Sequence, residues 1–559
     1  MALSYAKVSN DGAVGPLATR SEAVAEHGMV ATSHGLATQV GVDILKQGGS
    51  AVDAAIAANA AIGLMEPMSN GIGGDLFAIV WDPKTKRLHG LNGSGRSPRS
   101  LTKQAFAEKS VSGAIPMMGP LSISVPGCVD GWFALHGRFG RLSIEEILRP
   151  AIRYANEGHP VPEVIANMWA REVSNRSDQR DLMPGFMETF AREGRAPSKG
   201  DIWMNAALGS TLATIAKEGR DAFYKGELAR TMDACLKKAG AFLSYEDLSE
   251  HAGEWVDPVS ANYRGWDVWE LPPNGQGIAA LQILNLLEGL DLGESGFGSR
   301  DHLHAFIEAK KLAYEDRAKF YGDPDFGKQP IEKLISKKYA EERRRLIDRE
   351  KAGLQYPPGQ LEHGDTIYLC AADTDGMMVS LIQSNFLGFG SGVCVPELGF
   401  GFQNRGALFS LEEGHANGYE PNKRPFNTII PGFVTKNGLP LLAFGVMGGA
   451  MQPQGHAQVI MNMKDFGMNL QEAGDAPRVH HSGSTEPFGA DGSMVDGGTV
   501  LYEDGFPSET IRDLKRMGHA MKIGETEIFG GYQAIYRNPS NGVYYGASES
   551  RKDGHAAGY

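Results

Sequence analysis

A threonine placed directly after Gly364-Asp365 opens the apolar run Thr366-Ile367-Tyr368-Leu369-Cys370-Ala371-Ala372, and a second run, Met377 to Ile382, follows Asp375-Gly376. Asp-Gly between two such runs is a strong short-range hairpin signal. The segment before it, Gln355 to Asp365, carries Pro357, Pro358, Gly359 and Gly364, so a loop delivers a hydroxyl residue to the start of a buried strand. An internal threonine hydroxyl is a weak nucleophile. A threonine at a new N-terminus carries an α-amine with a reference pKa of about 7.7–8.0, which takes the hydroxyl proton near neutral pH without help from a histidine. Cleavage between Asp365 and Thr366 would therefore create nucleophile and base together. On this stretch alone, an ordinary β-branched strand residue is the better account of Thr366.

Other residues narrow the chemistry. Gly448-Gly449 follows an apolar run, and two consecutive glycines at a strand end can aim both backbone N–H groups at one point, as an oxyanion hole requires. A helix-start turn is the plain alternative. Leu387-Gly388-Phe389-Gly390-Ser391-Gly392 does not satisfy G-x-S-x-G, which removes the serine-hydrolase elbow. His480-His481 would point to opposite faces of a strand, and His302 and His304 to different faces of a helix, so neither pair has metal-ligand spacing. No metal and no cofactor is expected.

Glu66-Pro67-Met68-Ser69-Asn70-Gly71-Ile72-Gly73-Gly74-Asp75, Ser124-Val125-Pro126-Gly127, Arg424-Pro425-Phe426-Asn427-Thr428, Gly448-Gly449 and Asp475-Ala476-Pro477-Arg478 together resemble the gamma-glutamyltransferase (gamma-glutamyl transpeptidase) family of N-terminal-nucleophile hydrolases, over nearly the whole chain. The resemblance implies a four-layer αββα sandwich. It also implies a precursor that cleaves itself before Thr366, giving a large subunit of residues 1–365 and a small subunit of residues 366–559 that stay associated. Such a heterodimer is compatible with homo-oligomerisation.

Carried over residue by residue, the resemblance makes Thr366 the nucleophile, Ser384 its supporting hydroxyl, and Gly448 and Gly449 the oxyanion donors. Substrate-binding candidates are Arg96, Asn385, Arg405, Asn427 and Thr428. Asn427 and Thr428 stand where relatives carry a Ser-Ser pair for the α-carboxylate, and Arg96 lies two places from the usual carboxylate-binding arginine, whose column holds Ser94. Two departures concern the substrate amine: Phe386 replaces an asparagine and Leu408 an aspartate. An ammonium buried against leucine loses its countercharge, which costs kilocalories. The expected substrate is a small carboxylate-bearing amide, as for oxamate hydrolases and glutaryl-cephalosporin acylases, with glutathione-type γ-glutamyl compounds as the other class. An uncleaved, non-catalytic binder that kept the fold is the rival from outside enzymology.

The bulk properties bound these readings. A net charge of −13 over 559 residues, without a basic cluster interleaved with aromatics, argues against nucleic acid. Arg343-Arg344-Arg345 lies among glutamates and reads as a solvated helix face. The four cysteines, Cys128, Cys235, Cys370 and Cys394, are too dispersed for a metal site or disulfide framework. Residues 1–10 lack a secretory pattern and no apolar run is long enough to cross a bilayer, so the expected compartment is the cytoplasm, with no membrane partner.

Periodicity supplies the supporting elements. It predicts helices over Gly35–Gly48, Ala51–Leu64, Asp130–Phe139, Ile144–Glu157 with a kink at Pro150, Ala206–Lys217, Ile278–Leu290, His302–Tyr321 and Ile331–Lys351. Strands are expected at Leu76–Trp81, up to Gly93, within Val256–Leu271, at Phe433–Val434, Leu439–Phe444, Ile528–Tyr536 and Val543–Gly546. Ser410–Lys423 reads as a polar, flexible segment at the place of the family's lid.

Overall fold

The computed structural model describes residues 17–109, 115–356, 365–484, 486–488 and 494–559. The Pro/Gly-rich approach at 357–364 lies outside them. Two seven-stranded sheets organise the described residues. In order across the first run Ala556 and its neighbours in His555–Gly558, then Met29–Thr32, Asp365–Ala372, Met378–Phe386, Asp75–Asp82, Arg87–Gly93 and Glu254–Val256. Across the second run Ala23–Ala25, Tyr544–Ser548, Tyr532–Arg537, Leu439–Val446, Gly432–Lys436, Trp266–Glu270 and Val259–Tyr263. Neighbours within each are antiparallel.

Strand alternation divides the apolar side chains between three layers of core. Phe77, Ile79, Tyr368, Cys370 and Ile382 of the first sheet meet Phe433, Ala443 and Ile535 of the second. Their sequence neighbours Leu76, Ala78, Val80, Leu369 and Leu381 face outward onto the helix Ala51–Met65. On the far side, Val434, Leu442 and Phe444 pack against the helices Gly277–Glu288, Arg300–Phe320 and Met451–Lys464. The result is the αββα sandwich that the resemblance implies. Central strands buried on both faces explain why their sequences read as continuous apolar runs.

The nucleophile hairpin joins Asp365–Ala372 to Met378–Phe386. Asp373 Oδ1 accepts from the N–H groups of Asp375 and Met377, and Gly376 turns the chain with φ of 86°. Asp373 Oδ2 accepts from Ala51 N, tying the turn to the start of the inner helix. The second hairpin turns at Asn437-Gly438, both with positive φ, the conformation a tight I′-type turn demands.

Several expectations change. The strand expected over Ile528–Tyr536 begins only at Tyr532, after the 3-10 turn Thr526–Phe529. The single helix over Ile331–Lys351 is two short ones, Ile331–Leu334 and Lys337–Arg344, because Ser336 accepts from Tyr339 N and starts a new helix. The Ile144–Glu157 helix runs through Pro150 as one element. Within Ser410–Lys423, Asn417 is fully buried and donates to Leu408 O and Pro487 O, while Lys423 Nζ donates to Ala416 O and Gly418 O. These bonds pin the segment to the body, so its polar composition reflects internal bonding rather than freedom. The cysteines are free thiols, and no described helix is long and apolar enough to cross a membrane.

Candidate active site

A β-bulge aims Thr366. Asp365 pairs with Phe386 but Ile367 pairs with Gln383, so Thr366 opposes two residues, Ser384 and Asn385. Phe386 ends the partner strand with φ of 80°, rare for a residue with a side chain and typical of sites held by their surroundings. Thr366 Oγ1 lies 3.2 Å from Ser384 Oγ, which itself accepts from Phe386 N at 2.8 Å. Gln452, in the first turn of Met451–Lys464, donates Nε2 to Thr366 Oγ1 at 3.3 Å and accepts from Ile430 N through Oε1. Thr366 is 3% exposed.

Gly448 and Gly449 connect the end of Leu439–Val446 to that same helix, with φ of 112° and 56°. Their carbonyls accept from Met451 N and Gln452 N, which ties both glycines into the first turn of that helix. Neither N–H makes a hydrogen bond to the described residues. Two free donors just before a helix N-terminus, three and four residues ahead of a glutamine that touches Thr366, are placed to receive negative charge. Gln276 fixes this loop from the opposite side, donating Nε2 to Gly449 O and to Thr428 O while its Oε1 accepts from Arg317 Nη1.

Asp75, the first residue of its strand, organises the neighbouring charge. Its Oδ1 accepts from Gly95 N and Gln403 Nε2, and its Oδ2 from Asn427 Nδ2 at 3.0 Å. Arg405 Nε stands 3.5 Å from Oδ2, and both residues are fully buried. Burial pushes the Asp75 carboxyl up to about 6, against the pull of Arg405 and the three donors. Burial likewise lowers Arg405 to about 10, with Asp75 opposing. Arg405 Nη1 donates to Thr428 Oγ1 at 3.1 Å, whereas Nε and Nη2 have no hydrogen-bond partner. The guanidinium sits 5.6 Å from the Phe386 ring centre, and Leu408 is buried in the same cluster as Phe386.

The structure thus gathers Thr366, Ser384, Gly448, Gly449, Arg405, Asn427 and Thr428. It does not gather two other candidates. Arg96 turns away, bonding Asp323, Asp325 and Asn422 O beside a different cavity, because those acidic residues take its charge. Asn385 falls on the opposite face from Ser384 by strand alternation, sharing a small cavity with Gln383, Asn59, Asn70 and Trp132 and donating to Pro67 O.

Asp75, Gln276, Gln403 and Gln452 escape sequence reasoning. Asp75 alone had a signal, a carboxylate heading an otherwise apolar strand. Its Gly73-Gly74 approach needs glycine for space: a Cβ on Gly73 would lie 2.0 Å from Gly401 O, and one on Gly74 2.4 Å from Ser384 O.

His304, Glu308 and His519 have the grouping of a metal site. Their atoms are already engaged, however: His304 Nδ1 bonds His519 Nε2, and Glu308 takes Lys311 Nζ, Tyr356 OH and Gly353 N. The lysine supplies the cation that a metal would otherwise supply. His480 and His481 bond Ile528 O and Gly497 O separately.

Residues 37–559 match the gamma-glutamyltranspeptidase family. The chain belongs to that family. It is 37% identical to the glutathione hydrolase-like YwrD proenzyme of Bacillus subtilis (strain 168), over 95% of this chain and 98% of that protein. It is 32% identical to the oxamate amidohydrolase proenzyme of Klebsiella pneumoniae, over 96% of this chain and all of that protein. The crystal structure of cephalosporin acylase from Bacillus halodurans superposes with a TM-score of 0.90 at 44% identity, covering 97% of each chain. Membership makes this gamma-glutamyltranspeptidase-family chain an enzyme of the N-terminal-nucleophile hydrolase type, with the αββα sandwich of that class.

Gln452→Leu removes the amide that donates to Thr366 Oγ1 while keeping the volume. If Thr366 is the nucleophile that the family resemblance implies, loss of this hydrogen bond should lower kcat by roughly tenfold to a hundredfold with little change in KM, read from steady-state kinetics.

Proposed function

We propose that this protein is a self-processing amidohydrolase whose preferred acyl group bears a carboxylate and no free α-amine. The observation that carries this reading is the Arg405 guanidinium, buried with Nε and Nη2 without hydrogen-bond partners, beside the Phe386 ring, whose apolar cluster also holds Leu408. A fully buried guanidinium with spare N–H groups is stabilised by an arriving carboxylate. An ammonium there would meet the Arg405 cation and the apolar Phe386 ring, and the carboxylate at hand, Asp75, is already shared between Arg405 and three hydrogen-bond donors.

In the reaction, Thr366 Oγ attacks the amide carbonyl and its proton passes to the α-amine created by cleavage. The free N–H groups of Gly448 and Gly449 face the charge that develops on the carbonyl oxygen. The C–N bond breaks, the amine returns the proton to the leaving nitrogen, and water then hydrolyses the acyl ester. Ser384 and Gln452 hold the hydroxyl, while Arg405 and Thr428 hold the far carboxylate. The glutathione hydrolase-like name of the Bacillus subtilis relative favours γ-glutamyl substrates as the second reading.

Glutaryl and γ-glutamyl p-nitroanilides differ only in the α-amine and decide between them. We expect kcat/KM for the glutaryl compound to exceed that for its γ-glutamyl counterpart by about a hundredfold, the scale of one unpaired buried charge. Equal or reversed preference would overturn the assignment.

A further inference from the structure

Asp75 and Arg405 form a loose pair in a place from which water is excluded. The carboxylate receives three hydrogen bonds, none of them from the guanidinium, which stands 3.5 Å away through Nε. Arg405 commits a single N–H to Thr428 Oγ1. A carboxylate arriving on Nη2 becomes a second anion on the same cation. Two buried carboxylates around one guanidinium leave a net negative charge with no solvent to spread it, and a proton relieves it.

We propose that Asp75 and the carboxylate of the acyl group share Arg405, so that an anionic acyl group enters the site together with one proton that comes to rest on Asp75. This rests on the carboxylate reading of Arg405 above. The proton comes from solvent and returns there when the acid product leaves. Asp75 is suited to receive it, since burial already lifts its carboxyl to about 6 in the empty site. The other groups facing Asp75 do not compete. The Cys128 thiol, at the start of its helix, is held well above its ordinary value by burial and stays neutral, and Gln403, Asn427 and Gly95 N do not titrate. The Thr366 α-amine, near Ser384, has a reference value of about 7.7–8.0 and is already charged below pH 7.

The sign follows from linkage. Above about pH 6 the free site carries ionised Asp75 and the occupied site a protonated one, so binding takes up a proton and weakens as pH rises, by up to about tenfold per pH unit. Below about pH 6 both forms are protonated and the dependence vanishes.

The test uses the processed wild-type protein and 5-oxohexanoate, which carries one carboxylate, no amine and a ketone in place of the amide. Calorimetric titration at about pH 6.5, where the α-amine is already charged and the ligand carboxylate already ionised, is run in two buffers of different ionisation enthalpy. Net proton uptake is expected, with Kd several-fold weaker one pH unit higher. No binding at any pH would sink the carboxylate reading and this inference together. Binding with no proton uptake and an unchanged Kd would leave the carboxylate reading standing and overturn the sharing of Arg405. Asp75→Asn should bind without uptake, and uptake persisting in that variant would also overturn it. If Asp75→Asn does not fold, the wild-type titration still decides.

Discussion

Thr366→Ala is expected to remain a single 60.2 kDa polypeptide on denaturing electrophoresis, whereas the wild-type protein is expected to separate into one piece ending at Asp365 and one beginning at Thr366. Amide hydrolysis should fall by roughly 10⁴-fold or more, because one hydroxyl is asked to act twice. On the proposed mechanism it attacks the Asp365 carbonyl in the precursor and the substrate amide in the processed protein. The geometry explains why neighbours cannot substitute: Ser384 Oγ already bonds Phe386 N, and Gln452 is a donor without nucleophilic character. N-terminal sequencing of the smaller wild-type fragment should begin Thr-Ile-Tyr. Scission persisting in the alanine variant, or surviving turnover, would remove the nucleophile assignment and support a binder that merely kept the fold.

Arg405→Met is expected to process normally and to lose about 30- to 1,000-fold in kcat/KM on carboxylate-bearing amides, mostly through KM. That range is the cost of leaving one partner of a desolvated charge pair unmatched. The variant also leaves Asp75 buried without a cation, which raises its proton affinity further. A carboxyl whose folded value lies above its unfolded one contributes stability below the unfolded pKa and loses it as pH rises through the folded one. Relative to wild type, the Tm of Arg405→Met should therefore drop more at pH 8 than at pH 5. Adding Asp75→Asn should abolish that pH difference without restoring carboxylate turnover. Unchanged KM in Arg405→Met would show that the acyl carboxylate is held elsewhere.

How far the sequence reached differs between elements and charges. The two hairpins were legible because Gly376 and Asn437-Gly438 take backbone conformations few other residues adopt, and the turn then sets the pairing. The helix boundaries around Ala51–Met65 were legible for a similar local reason, Ser50 and Asp53 forming a reciprocal cap. The Ile331–Lys351 segment was misjudged because its charged residues favour helix throughout while Ser336 opens a new helix locally. The surroundings of Arg96 were not legible because its partners, Asp323 and Asp325, come from more than two hundred residues away.

The residues alone set the alternating and buried strands, the position of a hydroxyl at the head of one of them and the two glycines after another, since these are properties of single residues and of short-range periodicity. That Phe386 and Leu408 stand where relatives carry amine-binding side chains is what the family resemblance implies. Only the tertiary structure decided that Asp75 and Arg405 face one another across 3.5 Å, that Gln452 reaches Thr366, and that Asn385 looks the other way. The physical reason is that a buried charge or amide is specified by whichever donors and acceptors the packed layers bring beside it, and those are spread from Asp75 to Gln452 along the chain.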